Sequence, residues 1–566
     1  MNDRFKTLVR HFFSRFFDKD SISPGAEAHA SVVQIVAMLA LPGAFLSLAM
    51  ISDHALVRSE FTRRWLRAGD HYVFVSYAMV VMGFVMTFKW DSLFPDRRDY
   101  IILTPLPISL RAFFAAKVTA LCTFLLLFVI AINFFSCIIV PYAYLLRINR
   151  LDVILPAFLA HAAAALGGSV FMAMFFAALQ GVLINLMTPE AFRRVSPWIQ
   201  MLSMTILVTV LVITPGISAN LQPLIESNSR VLDYIPLFWF LGVYELLNPE
   251  GTVIPDSFPW AVRAVEATIL TGAMFVLTYL VSYRRYSKKI LEGIESNVFR
   301  ERWHQRASSR LLNRTLLRHP LQRGSYYFIG RIFGRSPRHR LFVAMYGGIG
   351  LAMTISSLFV LQRDDGFVLS ISRNGLLEAP LILSFFVVSG LRATFNIPYE
   401  LGANWMFQVT SGSGGEEHRM ATRKWVFLRG IVPAFAVLAP LQFVFAGATD
   451  ALFHLAFGLA MAALLTELFF WHFNKVPFTC SYVPAKSHLA FMAAAYLYGF
   501  TIYTFTAARL ANWVWASSER TIAFFVLTAV VLVAVSWYGR HRPRGIFDII
   551  YQDDPEPVIR QLNLTR

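Results

Sequence analysis

The chain has 566 residues, 56% of them hydrophobic and only 15% charged, with a formal net charge of +17 and a mean hydropathy of +0.55. Soluble domains carry nearer a quarter charged residues, so the composition excludes an ordinary soluble protein and points to an all-α, polytopic transmembrane bundle. The positive excess is read as cytoplasmic loop charge rather than as a nucleic-acid surface, and no nucleic-acid partner is expected.

The N-terminus places Phe5, Leu8, Val9, Phe12, Phe13, Phe16 and Phe17 at helical spacing, with Arg4, Lys6, Arg10 and Arg15 between them. This predicts an amphipathic helix within a cytosolic segment 1–31, lying in the membrane interface. No short apolar core with a cleavage site precedes Ser31, so the segment is not read as a signal peptide. Apolar runs long enough to cross hydrocarbon as helix then recur near 32–51, 71–93, 118–139, 154–184, 198–215 and 260–283, and again near 341–361, 378–394, 426–447, 452–473, 489–508 and 521–539. Twelve spans with both termini inside put most of the 51 Lys and Arg on the cytosolic face, the bias that sets orientation in an inner membrane. Arg58, Arg63, Arg64 and Arg67 fall on the other side, which makes the first two spans the weakest placement.

The domain reading is a first six-helix half at 32–283, a basic cytosolic linker at 284–340, a second six-helix half at 341–540 and a cytosolic tail at 541–566. Phe328, Ile329, Ile332 and Phe333 give the linker a shorter amphipathic stripe just before the seventh span. The order of features after each half's second span also repeats. Trp90 to Lys117 and Arg392 to Lys424 each contain an apolar residue before proline, then acidic and aromatic residues, then a closing lysine. Two similar halves in one chain are therefore expected.

No phosphate-binding glycine loop, zinc motif or nucleophile elbow occurs. The three cysteines have neither metal-ligand nor disulfide spacing. No catalytic residue, cofactor or metal is assigned, and the protein is not read as an enzyme. Ionisable groups inside the expected spans are His161, Glu266, His454 and Glu467, with His472 at a span end. His454 and Glu467 share one helix but stand thirteen residues, or about 20 Å, apart, so they cannot touch.

The richest cytosolic stretch is the first loop, with Asp96, Arg97, Arg98, Asp99 and Tyr100 ahead of prolines Pro105 and Pro107. Asp96, Asp99, Leu103, Leu106 to Ser109, and Ala116-Lys117 together resemble the cytosolic loop of type-2 ATP-binding-cassette exporter permeases. In that family the loop is a coupling helix that docks on an ATPase subunit, and an amphipathic elbow precedes the first span. Val476 to Leu489 and Ile397 to Gln408 are similar to stretches of large bacterial membrane proteins of unassigned function with this fused architecture. The resemblance implies the membrane subunit of an exporter, a separate ATP-binding subunit as partner beside membrane lipid, and coupling residues Asp96, Arg97, Arg98, Asp99 and Tyr100, then Glu400, Asn404 and Trp405. The second loop lacks the Leu-Pro-Ile-Ser step. An ATP-independent carrier using Glu467 and His454, or a membrane-embedded enzyme or scaffold, are the alternatives.

Overall fold

The computed structural model describes residues 2–16, 40–49, 60–90, 93, 109–148, 151–227, 229–249, 251, 254–291, 309–310, 312–362, 368–411, 415–480 and 489–540. Ten helices among them are long and apolar enough to cross a membrane, and each overlaps an expected span. The coarse expectation of a polytopic helix bundle holds. The expected first span overlaps the short apolar helix α2 (Ala40–Ala49), and the eleventh lies within α17 (Leu489–Trp515).

The described chain divides into two compact units, Met1–Ser296 with Gln362–Val368, and Asn297–Leu361 with Leu369–Arg566. The first contains α1 (Asn2–Arg15), α2, α3 (Glu60–Phe88), α4 (Leu110–Ile148), α5 (Ile154–Leu186), α6 (Pro189–Ala219), α7 (Leu221–Glu226), α8 (Pro236–Leu247) and α9 (Ser257–Leu291). Helix α3 packs on α4, α5, α6 and α8, while α4 packs on α5 and carries α1. Helix α9 lies on α5 and α8.

Small residues explain why α5 sits at the centre. Its buried face is Ala160, Ala164, Ala165, Gly168, Ser169, Ala173 and Ala177, which lets backbones approach closely where lipid tails offer no competing hydrophobic drive. The start of α6 is set locally: Thr188 Oγ1 accepts from the Ala191 amide at 3.3 Å and Pro189 occupies the first turn, the arrangement expected at a helix N-terminus. Outward faces are apolar. On α9, Val265, Ile269, Leu270 and Leu277 are exposed, a surface that suits lipid rather than water.

Helices α7 and α8 have no counterpart among the expected spans. At twelve residues α8 is too short to cross a bilayer, and its apolar side chains Phe238, Phe240, Leu241 and Tyr244 are buried instead against α3, α5 and α9. Asp233 locks the turn before it. Its carboxylate takes the Trp260 indole N–H at 2.8 Å and the Arg263 guanidinium at 2.7 Å, and its backbone carbonyl takes the Trp239 indole at 2.7 Å.

The second unit contains α10 (Pro320–Arg335), α11 (Pro337–Leu358), all but the end residues Gln362 and Val368 of strands β1 (Phe359–Gln362) and β2 (Val368–Ile371), α12 (Arg373–Phe395), α13 (Trp405–Ser411), α14 (Gly415–Trp425), a π-helical turn at Val426–Ile431, α15 (Val432–Ala446), α16 (Ala448–Phe469), α17 and α18 (Ser518–Arg540). The strands pair in a two-stranded sheet, a feature not expected from sequence. Helix α12 packs on α11, α15, α16 and α17; α14 carries α10; and α18 lies on α16 and α17. Its core joins Phe385, Phe395, Trp425, Ile431, Phe435, Phe470 and Phe478.

Both amphipathic stripes form, but the first is mainly an intramolecular face rather than a lipid-facing one. Leu8, Phe12 and Phe16 are buried in the core shared with α4, and Phe5, Val9 and Phe13 are half-buried there. Phe17 lies outside the described residues. In the linker stripe Ile329 and Ile332 are likewise buried, with Phe328 and Phe333 half-buried against the same core.

Candidate functional site

The first loop residues Asp96, Arg97, Arg98, Asp99 and Tyr100 lie outside the described residues, but both ends of the loop are described. At its start Trp90 is 1% exposed; its indole donates to Ser196 Oγ at 2.9 Å, and its carbonyl accepts from Gln180 at 2.7 Å. At its end Ser109 Oγ accepts from the Ala112 amide at 3.2 Å and starts α4. Lys117 follows two turns later, buried, with its Nζ 5.1 Å from the centroids of both Phe12 and Phe16 of α1. A desolvated ammonium over two aromatic faces is worth about 2 kcal/mol or more. The closing lysine of the loop is thus tied to the amphipathic helix.

The second loop ends in the same way with different chemistry. Lys424 Nζ donates to the Leu316 carbonyl at 2.6 Å and to Gln322 Oε1 of α10 at 2.8 Å. Gln322 Nε2 donates to Glu417, Ser325 pairs with His418, and Phe333 stacks on Trp425 with centroids 5.0 Å apart. Again the amphipathic helix is held to the base of the helix that follows the loop.

Within that loop Asn404 is 3% exposed and its Nδ2 donates to the Thr479 carbonyl at 2.7 Å. The Tyr399 amide donates to the Phe478 carbonyl at 3.1 Å, and the Phe478 amide to the Phe395 carbonyl at 3.0 Å. Phe478 adopts φ 70, a left-handed conformation costly for a bulky residue, and is wedged against Phe333, Phe395 and His339. His339 Nε2 donates to the Ile397 carbonyl at 3.0 Å, and its Nδ1 is 2.6 Å from Ser336 Oγ. This rigid base presents an apolar face: Trp405, Met406 and Val409 are 61%, 55% and 75% exposed, and Glu400 beside them is exposed. Asn404 is therefore an anchor, whereas Glu400 and Trp405 are exposed.

The intramembrane candidates do not converge. Glu467 is ion-paired to Arg423 of α14 at 2.8 Å. His454 is buried in α16, one turn after Asp450, which pairs with Arg373. Glu266 is exposed on α9, and His472 is exposed beyond the end of α16. His161 meets His71, with Nδ1 atoms 3.1 Å apart. His71 was missed from sequence, although it opens the expected second span and is as ionisable as the groups singled out. Arg423 and Phe478 were also missed; the first lies just before an expected span, and a positive φ at phenylalanine leaves no sequence signal. Among the described residues no group of three or more His, Cys, Asp or Glu could hold a metal. No protein-family model, curated protein or solved structure matches this chain.

Proposed function

We propose that the chain is the membrane subunit of an ATP-driven exporter, docked through its cytosolic loops on a separate ATP-binding subunit in a bacterial inner membrane. The observation that carries this reading is the paired construction of Lys117 on Phe12 and Phe16 and of Lys424 on Gln322. A push on either loop is passed through a held lysine into both the amphipathic helix and the following span, as a coupling device requires. Resemblance of Asp96 to Lys117 to exporter permease loops supplies the ATPase as the source of the push.

The reading includes twelve spans in two repeated halves. Its support is the packing order: numbered by expected span, with the short α2 as the first, each unit has an amphipathic helix on its third span, a central second span on the fourth and fifth, and a sixth on the fourth. The first unit adds α7 and α8 between its fifth and sixth helices, whereas α17 and α18 are joined directly. The carrier alternative has less support, because Glu467 is committed to Arg423 and His454 lies about 20 Å away along the helix.

The reading predicts an ATP-binding subunit encoded nearby, and the test is co-expression with it, followed by co-purification and ATP hydrolysis. Charge reversal of Arg97 and Arg98 to Glu in a buried contact costs about 2 to 5 kcal/mol, so binding is expected to weaken tenfold or more. Trp405→Ala, which removes an exposed aromatic anchor, is expected to weaken it as well. Undiminished binding with both loops altered rejects the docking assignment.

A further inference from the structure

Two histidines face each other inside the first unit, and the exporter reading uses neither. His71 of α3 and His161 of α5 are each 1% exposed, with their Nδ1 atoms 3.1 Å apart. The Tyr244 ring of α8 stacks on His71 with centroids 3.4 Å apart, and Phe74 stands edge-on to His161 at 5.3 Å. His161 Nε2 is buried with no hydrogen-bond partner among the described residues.

A hydrogen bond between two Nδ1 atoms dictates the tautomers. One ring must carry its hydrogen on Nδ1 and donate; the other must keep that lone pair and carry its hydrogen on Nε2. An incoming proton adds to the Nε2 lone pair of the donor ring, giving an imidazolium whose Nδ1–H still donates to the neutral ring. No bond is lost. A second proton would have to take the lone pair that accepts the bond, leaving two N–H groups head-on and two cations side by side in a low-dielectric interior.

We infer that His71 and His161 form a single-proton site, a place inside the first unit that accepts one proton and refuses a second. Ionisable groups of both signs lie on the surrounding elements. Glu245 and Tyr244 on α8 are buried beside the pair's own helices, and Asp70 precedes His71; Arg67, one turn earlier on α3, opposes them. Helix α5 has no other ionisable residue, with Asp152 just before it. Of the other packed helices, α4 carries Arg111, Lys117 and Arg147, α6 carries charge only in its first turns at Glu190, Arg193 and Arg194, and α9 carries Arg263 and Glu266 near its start. The added charge falls where α8 closes over α3 and α5, so proton loading makes that closure responsive to pH.

The full chain, nitrogen-15-labelled at histidine and held in lipid nanodiscs, is titrated from about pH 8 to about pH 4.5, across the histidine range. The expected result is one pair of histidine signals, coupled across an N–H···N bond, that moves with a single midpoint and takes up one proton. In His71→Gln and in His161→Gln one of the two signals disappears, and the other stays but loses its coupling across the N–H···N bond. Two midpoints totalling two protons, or no protonation of either ring, overturns the site. The wild-type titration decides the matter even if a variant does not fold. Because no ATP-binding subunit enters the experiment, its failure is separate from failure of the exporter reading.

Discussion

Glu467 meets Arg423 where both side chains are largely shielded from water, 22% and 10% exposed. Removing one member of such a pair leaves an uncompensated charge and typically costs about 3 to 5 kcal/mol, whereas replacing both with apolar residues is often neutral. Glu467→Ala is therefore expected to lower the detergent-solubilised protein's stability by about 3 kcal/mol. Adding Arg423→Met should restore most of it. Thermal unfolding of the two single variants and the double variant measures the coupling; equal losses that simply add would show that the pair contributes nothing. Lys117 belongs to the same scale. Lys117→Ala removes the cation from Phe12 and Phe16 and leaves a void beneath α1, so protease cleavage within residues 2–15 is expected to accelerate.

Among elements, α7 and α8 depend on contacts that a span count cannot register. Gly242 allows α8 to cross α9: a Cβ there would lie 2.6 Å from Trp260 Cβ and 2.8 Å from the Ser257 carbonyl oxygen. Backbone cannot yield as a flexible side chain does, so Gly242→Val is expected to raise amide exchange over 236–247 while leaving α10 to α18 unchanged. Asp233 gives the turn before α8 a pH dependence. Hydrogen bonds from Arg263 and then from Trp260 hold its carboxyl below the ordinary carboxylate range. A depressed folded-state value means that its contribution is complete above the ordinary range and disappears as pH falls through the lower folded value. Amide exchange over 236–247 is thus expected to rise as pH falls through the ordinary carboxylate range towards the lower folded value. Asp233→Asn should show raised exchange already at neutral pH and lose that acid-dependent step.

For the whole molecule, orientation is the decisive property. In a background lacking Cys122, Cys137 and Cys480, cysteines at the exposed positions Ser229 and Ser518 are expected to react with an impermeant maleimide on intact cells. A cysteine at Gly334, where an added Cβ meets nothing within 4 Å, should react only after lysis. The reverse pattern inverts the topology. The sequence alone determined the membrane-type helical class, the position of ten long apolar helices and both amphipathic stripes, because each is written in local composition and period. Helix ends were less legible: α4 and α9 run well past their apolar cores, since a helix continues through polar residues as long as its backbone bonds are met. What covers each stripe, the burial of α8, the Arg423–Glu467 pair and the meeting of His71 with His161 were decided only by tertiary structure. Those contacts join residues tens of positions or more apart in sequence, and no local pattern records which distant side chain a buried charge or ring will find.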